Sequence, residues 1–288
     1  MDLSLKIDVV ENINREEFDK KYLKPQIPVI VRGVVNDQPA GKKWTLQWFK
    51  ENHGDIMVGV HDSRKVNTKK TAVNKPDFEM KFSEYLDIVI SNKPTDYRIF
   101  LFNIFKIRPE LKNDLKCPKI FESTMKDLGF VFFGGINSVT RMHYDIDMSN
   151  VLLTQFDGKK RVVLFSPDQS ALLYRLPFNT FGLVDVDKPD YEQFPGLQYA
   201  KGYDITLERG DALFMPSGYW HHVVYTTGGF SVSFRRPSPD MTTLIKGGIN
   251  LGVLTLIDKM VDKILGDGWY NYKKKTAIKR AQRSIHNH

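Results

Sequence analysis

Cysteine is all but missing. Cys117 stands alone in 288 residues, so no disulfide can close within the chain, and the lone thiol reads as core or surface filler rather than a nucleophile. No apolar run approaches the length of a bilayer span, and Met1-Asp2-Leu3-Ser4 lacks the pattern of a secretory leader. The expected setting is therefore the cytoplasm, with no membrane partner. Internal repeats and low-complexity segments are absent too, which sets aside solenoids and disordered tails. Acidic residues are in short supply, 34 against 42 basic ones, and the net charge of +8 leaves a nucleic acid or another acidic partner open. Much of that excess sits in Lys273-Lys274-Lys275, Lys279-Arg280 and Arg283, and a basic run of this kind is more often a solvated helix face or tail than a binding site.

What is present suits a sizeable core, with 41% hydrophobic residues and 26% charged. Residues 1–127 mix short strand and helix signals. Asn14 precedes acids suited to a first helical turn, Pro28 to Val35 reads as a buried strand, and Thr45 to Lys50 and Phe82 to Ile90 read as helices. Ile56 to Val60 reads as a strand and residues 61–77 as an exposed loop. From about Phe130 the texture is β. Phe130 to Gly135, Asn150 to Phe156, Arg161 to Phe165, Tyr203 to Leu207, Ala212 to Met215, Val223 to Thr226 and Phe230 to Phe234 alternate with turn signals at Gly158-Lys159 and Gly228-Gly229. Short strands at such intervals predict a sandwich or barrel, with Leu176 to Ala200 as a proline-interrupted insert over one face. Residues 239–288 turn helical, and Ile249 to Leu265 carries a continuous apolar pattern that Gly266-Asp267-Gly268 stops.

The candidate chemistry lies in Thr140-Arg141-Met142-His143-Tyr144-Asp145. Read as one strand, it points His143 and Asp145 to the same face and Tyr144 to the other. A lone histidine is more often a satisfied core residue than a ligand, but three features shift the balance. Asp145 brings a carboxylate that needs a cation. A second histidine pair, His221-His222, re-enters the sheet after the Pro216-Ser217-Gly218 turn. Lys160 projects a cation from a strand whose same-face neighbours, Val162 and Leu164, are apolar. Two histidines and one carboxylate leave positions open on an octahedral ion, the arrangement of non-haem Fe(II) oxygenases. Spacing alone leaves His221 and His222 as alternatives, since they face opposite ways on a strand. Arg235, on the polar face shared by Ser231 and Ser233, reads either as a carboxylate-binding cation or as a salt-bridged strand end.

Together, His143-x-Asp145, Gly158-Lys159-Lys160-Arg161-Val162-Val163-Leu164-Phe165-Ser166-Pro167, Gly210-Asp211 through Trp220-His221, and Asp187-Lys188-Pro189-Asp190-Tyr191 resemble the JmjC, cupin-like branch of the 2-oxoglutarate oxygenases. Within it the chain is similar to factor-inhibiting-HIF-type asparaginyl hydroxylases and to tRNA wybutosine hydroxylases. The resemblance runs from the Pro28 strand to about Phe234. It implies a mainly β fold, a double-stranded β-helix (jelly-roll) barrel at residues 128–238. Residues 1–127 would be flanking N-terminal α/β elements, and 239–288 a C-terminal helical dimerisation segment with a basic tail. It also implies Fe(II) on His143, Asp145 and His221, Lys160 paired with the distal carboxylate of 2-oxoglutarate, and Thr140 bonded to a cosubstrate carboxylate. Strict alternation places Thr140 on the face opposite His143, so that role requires an irregular strand. Where the asparaginyl hydroxylases carry a cosubstrate-binding tyrosine, this chain has Phe100, with Tyr97 and Tyr144 nearby.

Three functions follow from the resemblance and the charge: a hydroxylase of a protein side chain, an RNA-modifying oxygenase, or a metal-binding cupin without turnover. The intact ligand set and Lys160 argue against the third. A histone demethylase is the weaker protein reading, because no cysteine/histidine zinc module is found. Leu244, Ile245, Ile249, Leu256, Met260 and Ile264 are among more apolar residues than a closed barrel needs, so the C-terminal helices are expected to pair with a second copy.

Overall fold

The β-branched and aromatic runs pair into two sheets that face each other. In the computed structural model, residues 1–65, 75–122 and 129–286 are described. The strands are β1 (Asp8–Glu11), β2 (Val29–Arg32), β3 (Met57–Asp62), β4 (Phe78–Lys81), β5 (Tyr97–Phe102), β6 (Phe130–Gly134), β7 (Val139–His143), β8 (Asn150–Asp157), β9 (Lys160–Phe165), β10 (Tyr203–Leu207), β11 (Asp211–Met215), β12 (Trp220–Tyr225) and β13 (Gly229–Arg236). Nine form the larger sheet, in the order β1-β2-β11-β8-β13-β6-β5-β3-β4, and four the smaller, β10-β9-β12-β7. All pairings are antiparallel except β1 with β2. This is the jelly-roll barrel, with N-terminal strands widening one sheet and helices at both ends of the chain. The turn signals mark a real constraint. Gly158 is left-handed at φ 69°, and a Cβ there would collide with the Gly228 carbonyl of the neighbouring hairpin.

Apolar side chains fill three places. Between the sheets, Val151, Leu153 and Leu213 meet Val162, Leu164 and Ile205. Outside the larger sheet, Trp44, Phe49 and Tyr85 from α1 (Leu46–His53), α2 (Phe82–Ile90) and their approaches pack against Phe133, Phe156 and Phe230. Outside the smaller sheet, the 176–200 insert contributes Leu176, Val184 and Phe194, which bury Met142 and Trp220. Both sheets are thus covered outside, and the space between them is left for a site.

Several elements differ from the sequence reading. His61 and Asp62 complete β3 instead of beginning a loop, because Asp62 pairs with Tyr97 across the strands; residues 66–74 of that loop lie outside the described residues. The strand read through Asp145 ends at His143, and Asp145 opens a turn in which Met148 N–H donates to the Asp145 carbonyl at 3.1 Å. The chain re-enters the sheet at Trp220 as read, and β12 joins the histidine pair and the run from Val223 in one strand. The helix read as continuous from Ile249 divides. After α3 (Met241–Ile249), residues Asn250–Leu254 form one π-helical turn before α4 (Thr255–Leu265) resumes. Gly266, at φ 49°, stops α4, and α5 (Asp267–Ile285) follows. In the basic run, Lys275, Lys279, Arg280 and Arg283 are exposed, but Lys273 is buried on Asp258 at 2.6 Å. That pair, with Trp269 Nε1–H donating to Asp258 at 2.7 Å, ties α5 to α4.

Candidate active site

The smaller sheet brings the distant histidines together. β7 and β12 are antiparallel, and His143 pairs directly with His221, their ring centroids 4.2 Å apart. Asp145 reaches the same point from the turn beyond β7, and one ligand atom from each of the three lies within 4.8 Å of the others. His143 Nδ1 lies 2.8 Å from the Arg141 carbonyl and His221 Nδ1 3.1 Å from the Tyr219 carbonyl. A carbonyl only accepts, so both rings carry their proton on Nδ1 and leave Nε2 as a lone pair. Burial, then the neighbouring His221, pushes His143 down to about 3, so it stays neutral. Burial works against the Asp145 carboxylate, yet Arg235 and the two imidazoles hold it at about 2. Two neutral imidazoles and a carboxylate, His221 buried and His143 and Asp145 half-buried, fit a divalent transition metal bound on one face.

His222 faces away. Its Nε2 lies 2.7 Å from Asp187 Oδ2, while Asp187 Oδ1 accepts from Arg161 Nη1–H at 2.6 Å. Asp187 belongs to the insert, so this contact fastens the insert to the outside of β12.

A cavity of about 710 Å³ runs from the triad between the sheets, and Lys160, Thr140, Arg98, Tyr225 and Phe100 line it. Lys160 is 1% exposed. Its Nζ donates to Ser231 Oγ at 2.7 Å and Tyr225 Oη at 3.2 Å, and among the described residues it has no carboxylate partner. Burial alone brings its pKa down to about 7. Thr140 reaches the cavity through an irregularity in β7. His143 pairs with His221 but Thr140 with Val223, so β7 carries one residue more than β12 between those pairs. This bulge returns Thr140 to the face of His143, against strict alternation. Arg98 donates to Thr140 Oγ1, which leaves the hydroxyl proton free for a ligand.

Arg235 is a salt-bridged strand end. Nη2 bonds Asp145 at 3.2 Å, and Nη1 bonds both Asp147 oxygens at 3.0 Å. The cosubstrate role read for it has little left to work with, and its contact is with a candidate metal ligand. Sequence reasoning missed Arg98 and Tyr225. Tyr225 shares a face with His221 and Val223 by alternation along β12, the signal that could have found it. Of the other phenols considered, Tyr144 is taken up by the Asn179 carbonyl and Arg175, and Tyr97 packs on Phe78.

Two facing sheets around a His/Asp/His set at one end of the cavity define a jelly-roll protein with a metal-type centre. Residues 15–236 match the cupin-like domain family, and the chain belongs to it, within the JmjC oxygenases. It is 27% identical over 252 residues to human tRNA wybutosine-synthesizing protein 5, covering 80% of this chain and 77% of that protein. It is 29% identical over 231 residues to zebrafish (Danio rerio) lysine-specific demethylase 8, covering 76% of this chain and 55% of that one. JmjC domain-containing protein D of Dictyostelium discoideum is 26% identical over 239 residues, with 75% and 53% covered.

Proposed function

We propose that the chain is an Fe(II)- and 2-oxoglutarate-dependent hydroxylase acting on a protein side chain. The supporting observation is the pairing, in one cavity, of the His143–Asp145–His221 set with a buried lysine that lacks an anion. With iron and 2-oxoglutarate bound, O₂ would serve as the oxidant, one of its oxygen atoms going to the keto acid, which leaves as succinate and CO₂, and the other entering a substrate C–H bond. The protein's residues do the rest. His143, Asp145 and His221 hold the metal. Lys160 and the Thr140 hydroxyl anchor the cosubstrate, with Arg98 keeping Thr140 in place. Arg235 fixes the Asp145 carboxylate, and Phe100, Phe132 and Val223 keep water from the reacting atoms. Anaerobic Fe(II) titration should saturate at one metal per chain, and 2-oxoglutarate should then produce a visible charge-transfer band. In air, succinate should form. Iron binding without either response would leave a non-catalytic cupin.

The wybutosine-synthesizing relative, matched over most of its own length, favours RNA as a second reading. Exposed Lys275, Lys279, Arg280 and Arg283 on α5 are the corresponding cations. RNA binding that weakens steeply with salt and disappears when these four become glutamine would move the substrate to RNA.

The chain is also proposed to pair with a second copy. Leu256, Met260 and Ile264 on α4 are exposed, Ile264 to 78%, beside exposed Ile245 and Ile249 on α3. A stripe this apolar is stabilised by burial against its own symmetry mate. Truncation after Pro239 is a poor test, because Ala277 and Ala281 of α5 belong to the core outside the smaller sheet. The pair Leu256→Asp and Ile264→Asp is the cleaner choice. Light scattering at micromolar concentration should give a dimer for the parent and a monomer for the double variant. A monomeric parent would end the idea.

A further inference from the structure

The cavity wall also carries two buried hydrogen-bond donors, Arg141 Nε and Asn179 Nδ2, that find no acceptor among the described residues. Arg141 belongs to the β7 bulge and lines the cavity with its guanidinium 5.4 Å from the Phe181 ring centre. Its Nε is buried without a hydrogen-bond partner, and among the described residues no carboxylate lies within ion-pair distance. Arg175 also lines the cavity, and its Nη1–H donates to the Tyr144 hydroxyl at 3.2 Å. Asn179 is 8% exposed; its Oδ1 accepts from Phe181 N–H at 3.1 Å, while its Nδ2 is buried with no acceptor.

The segment that carries these groups is held firmly. Isolated bridges join Arg175 to Gly182 and Phe181 to His143, Phe178 is fixed in the left-handed region at φ 58°, and the Phe181 ring stacks on His143 at 5.6 Å. Buried donors without acceptors are costly, so such a cluster calls for an acceptor from outside.

We propose that Arg141, Arg175 and Asn179 form a subsite for a carboxylate on the substrate, so that the oxidised side chain lies in, or is itself, an acidic residue of a peptide. The inference rests on the hydroxylase reading and names its substrate class. The cosubstrate does not account for these donors, since its anchor, Lys160, stands on β9. Arg235 does not compete, being held by Asp145 and Asp147. A carboxylate suits the place better than a phosphodiester. It is planar and matches the side edge of a guanidinium. The donors sit among Phe178, Phe181 and Leu254, in a cavity that must also hold 2-oxoglutarate, so there is room for a side chain rather than a polynucleotide backbone.

The test uses the full chain loaded with Mn(II) and 2-oxoglutarate, Mn(II) being a paramagnetic reporter. The probes are capped pentapeptides with a central Asp, Glu, Asn or Lys between glycines, and a short oligouridylate. Resonances of the Asp or Glu peptide should broaden at about tenfold lower protein concentration than those of the Asn and Lys peptides, as expected for one charge-assisted contact. That preference should vanish in Arg141→Met and in Arg175→Met and survive in part in Arg141→Lys. Retained broadening of 2-oxoglutarate shows that each variant is folded and loaded. Equal broadening by all peptides, or an acidic preference that survives both methionine variants, overturns the proposal. So does Arg141-dependent broadening of the oligouridylate in preference to every peptide, which would make the subsite a phosphate site. If 2-oxoglutarate itself fails to broaden with the parent protein, the hydroxylase reading falls and this inference with it.

Discussion

Lys160→Met will weaken 2-oxoglutarate binding by about one to three orders of magnitude, the loss of a partly desolvated ion pair. The same substitution will stabilise the ligand-free protein. Nζ is buried with two hydroxyls and no anion, and exchanging an uncompensated buried cation for an apolar chain of similar length is worth roughly 1–4 kcal/mol. The pH dependence separates this from a simple repacking. Burial places the folded pKa at about 7, below the unfolded value of 10.5, so the folded state binds fewer protons between those limits. The penalty that Lys160 imposes is therefore fully present below pH 7, shrinks as pH rises, and is gone above about 10.5. Melting temperatures of parent and variant should differ most in mild acid and converge in alkali. Calorimetry in buffers of different ionisation enthalpy should also show proton uptake when 2-oxoglutarate binds the parent at pH 8. Unchanged affinity in Lys160→Met, or no proton uptake, would remove Lys160 from the cosubstrate site.

His221→Ala should abolish metal binding at micromolar Fe(II), while His222→Ala should leave one ion bound. Losing one of three protein ligands takes away a coordinate bond and the facial geometry together. His222 contributes elsewhere, through the Nε2 contact with Asp187. Its removal should lower stability by about 1–3 kcal/mol, the loss of one hydrogen bond to a carboxylate that Arg161 still holds, and loosen the insert. Metal content after gel filtration and thermal melts read the two effects independently. If His222→Ala loses the ion and His221→Ala keeps it, the ligand assignment is reversed.

Local chemistry was legible where it acts alone. Asn14 caps its helix as read, accepting from Glu17 N–H, the helix read from Thr45 forms with Thr45 as its cap, and Phe82–Ile90 forms a helix over the residues its spacing indicated. The β texture after Phe130 resolved into the strands of a jelly roll because alternation there is strong. Elements decided by distant partners were harder to see. β1 is an exposed edge held by parallel pairing to β2, and nothing in Asp8-Val9-Val10-Glu11 signals that pairing. The β7 bulge is invisible in sequence, since an extra residue shows only against the register of β12. For that reason the faces of Thr140 and Arg141 could not be assigned by alternation. Lys273 read as part of a solvated run because its partner, Asp258, sits on another helix.

The π-helical turn Asn250–Leu254 has a consequence for the order in which the chain is made. Asn250, Leu251, Leu254, Thr255 and Lys259 form one wall of the cavity, with Asn250 Nδ2–H donating to the Ile146 carbonyl at 3.2 Å. The ligand residues leave the ribosome more than a turn of this helix earlier, so the His143–Asp145–His221 set can assemble before its screen exists. A polypeptide stopped short of residue 250 would lack both this wall of the cavity and the α5 residues Ala277 and Ala281 that pack outside the smaller sheet. The screen over the candidate site is thus among the last parts of the chain to be made, and a shortened product loses it together with part of its core.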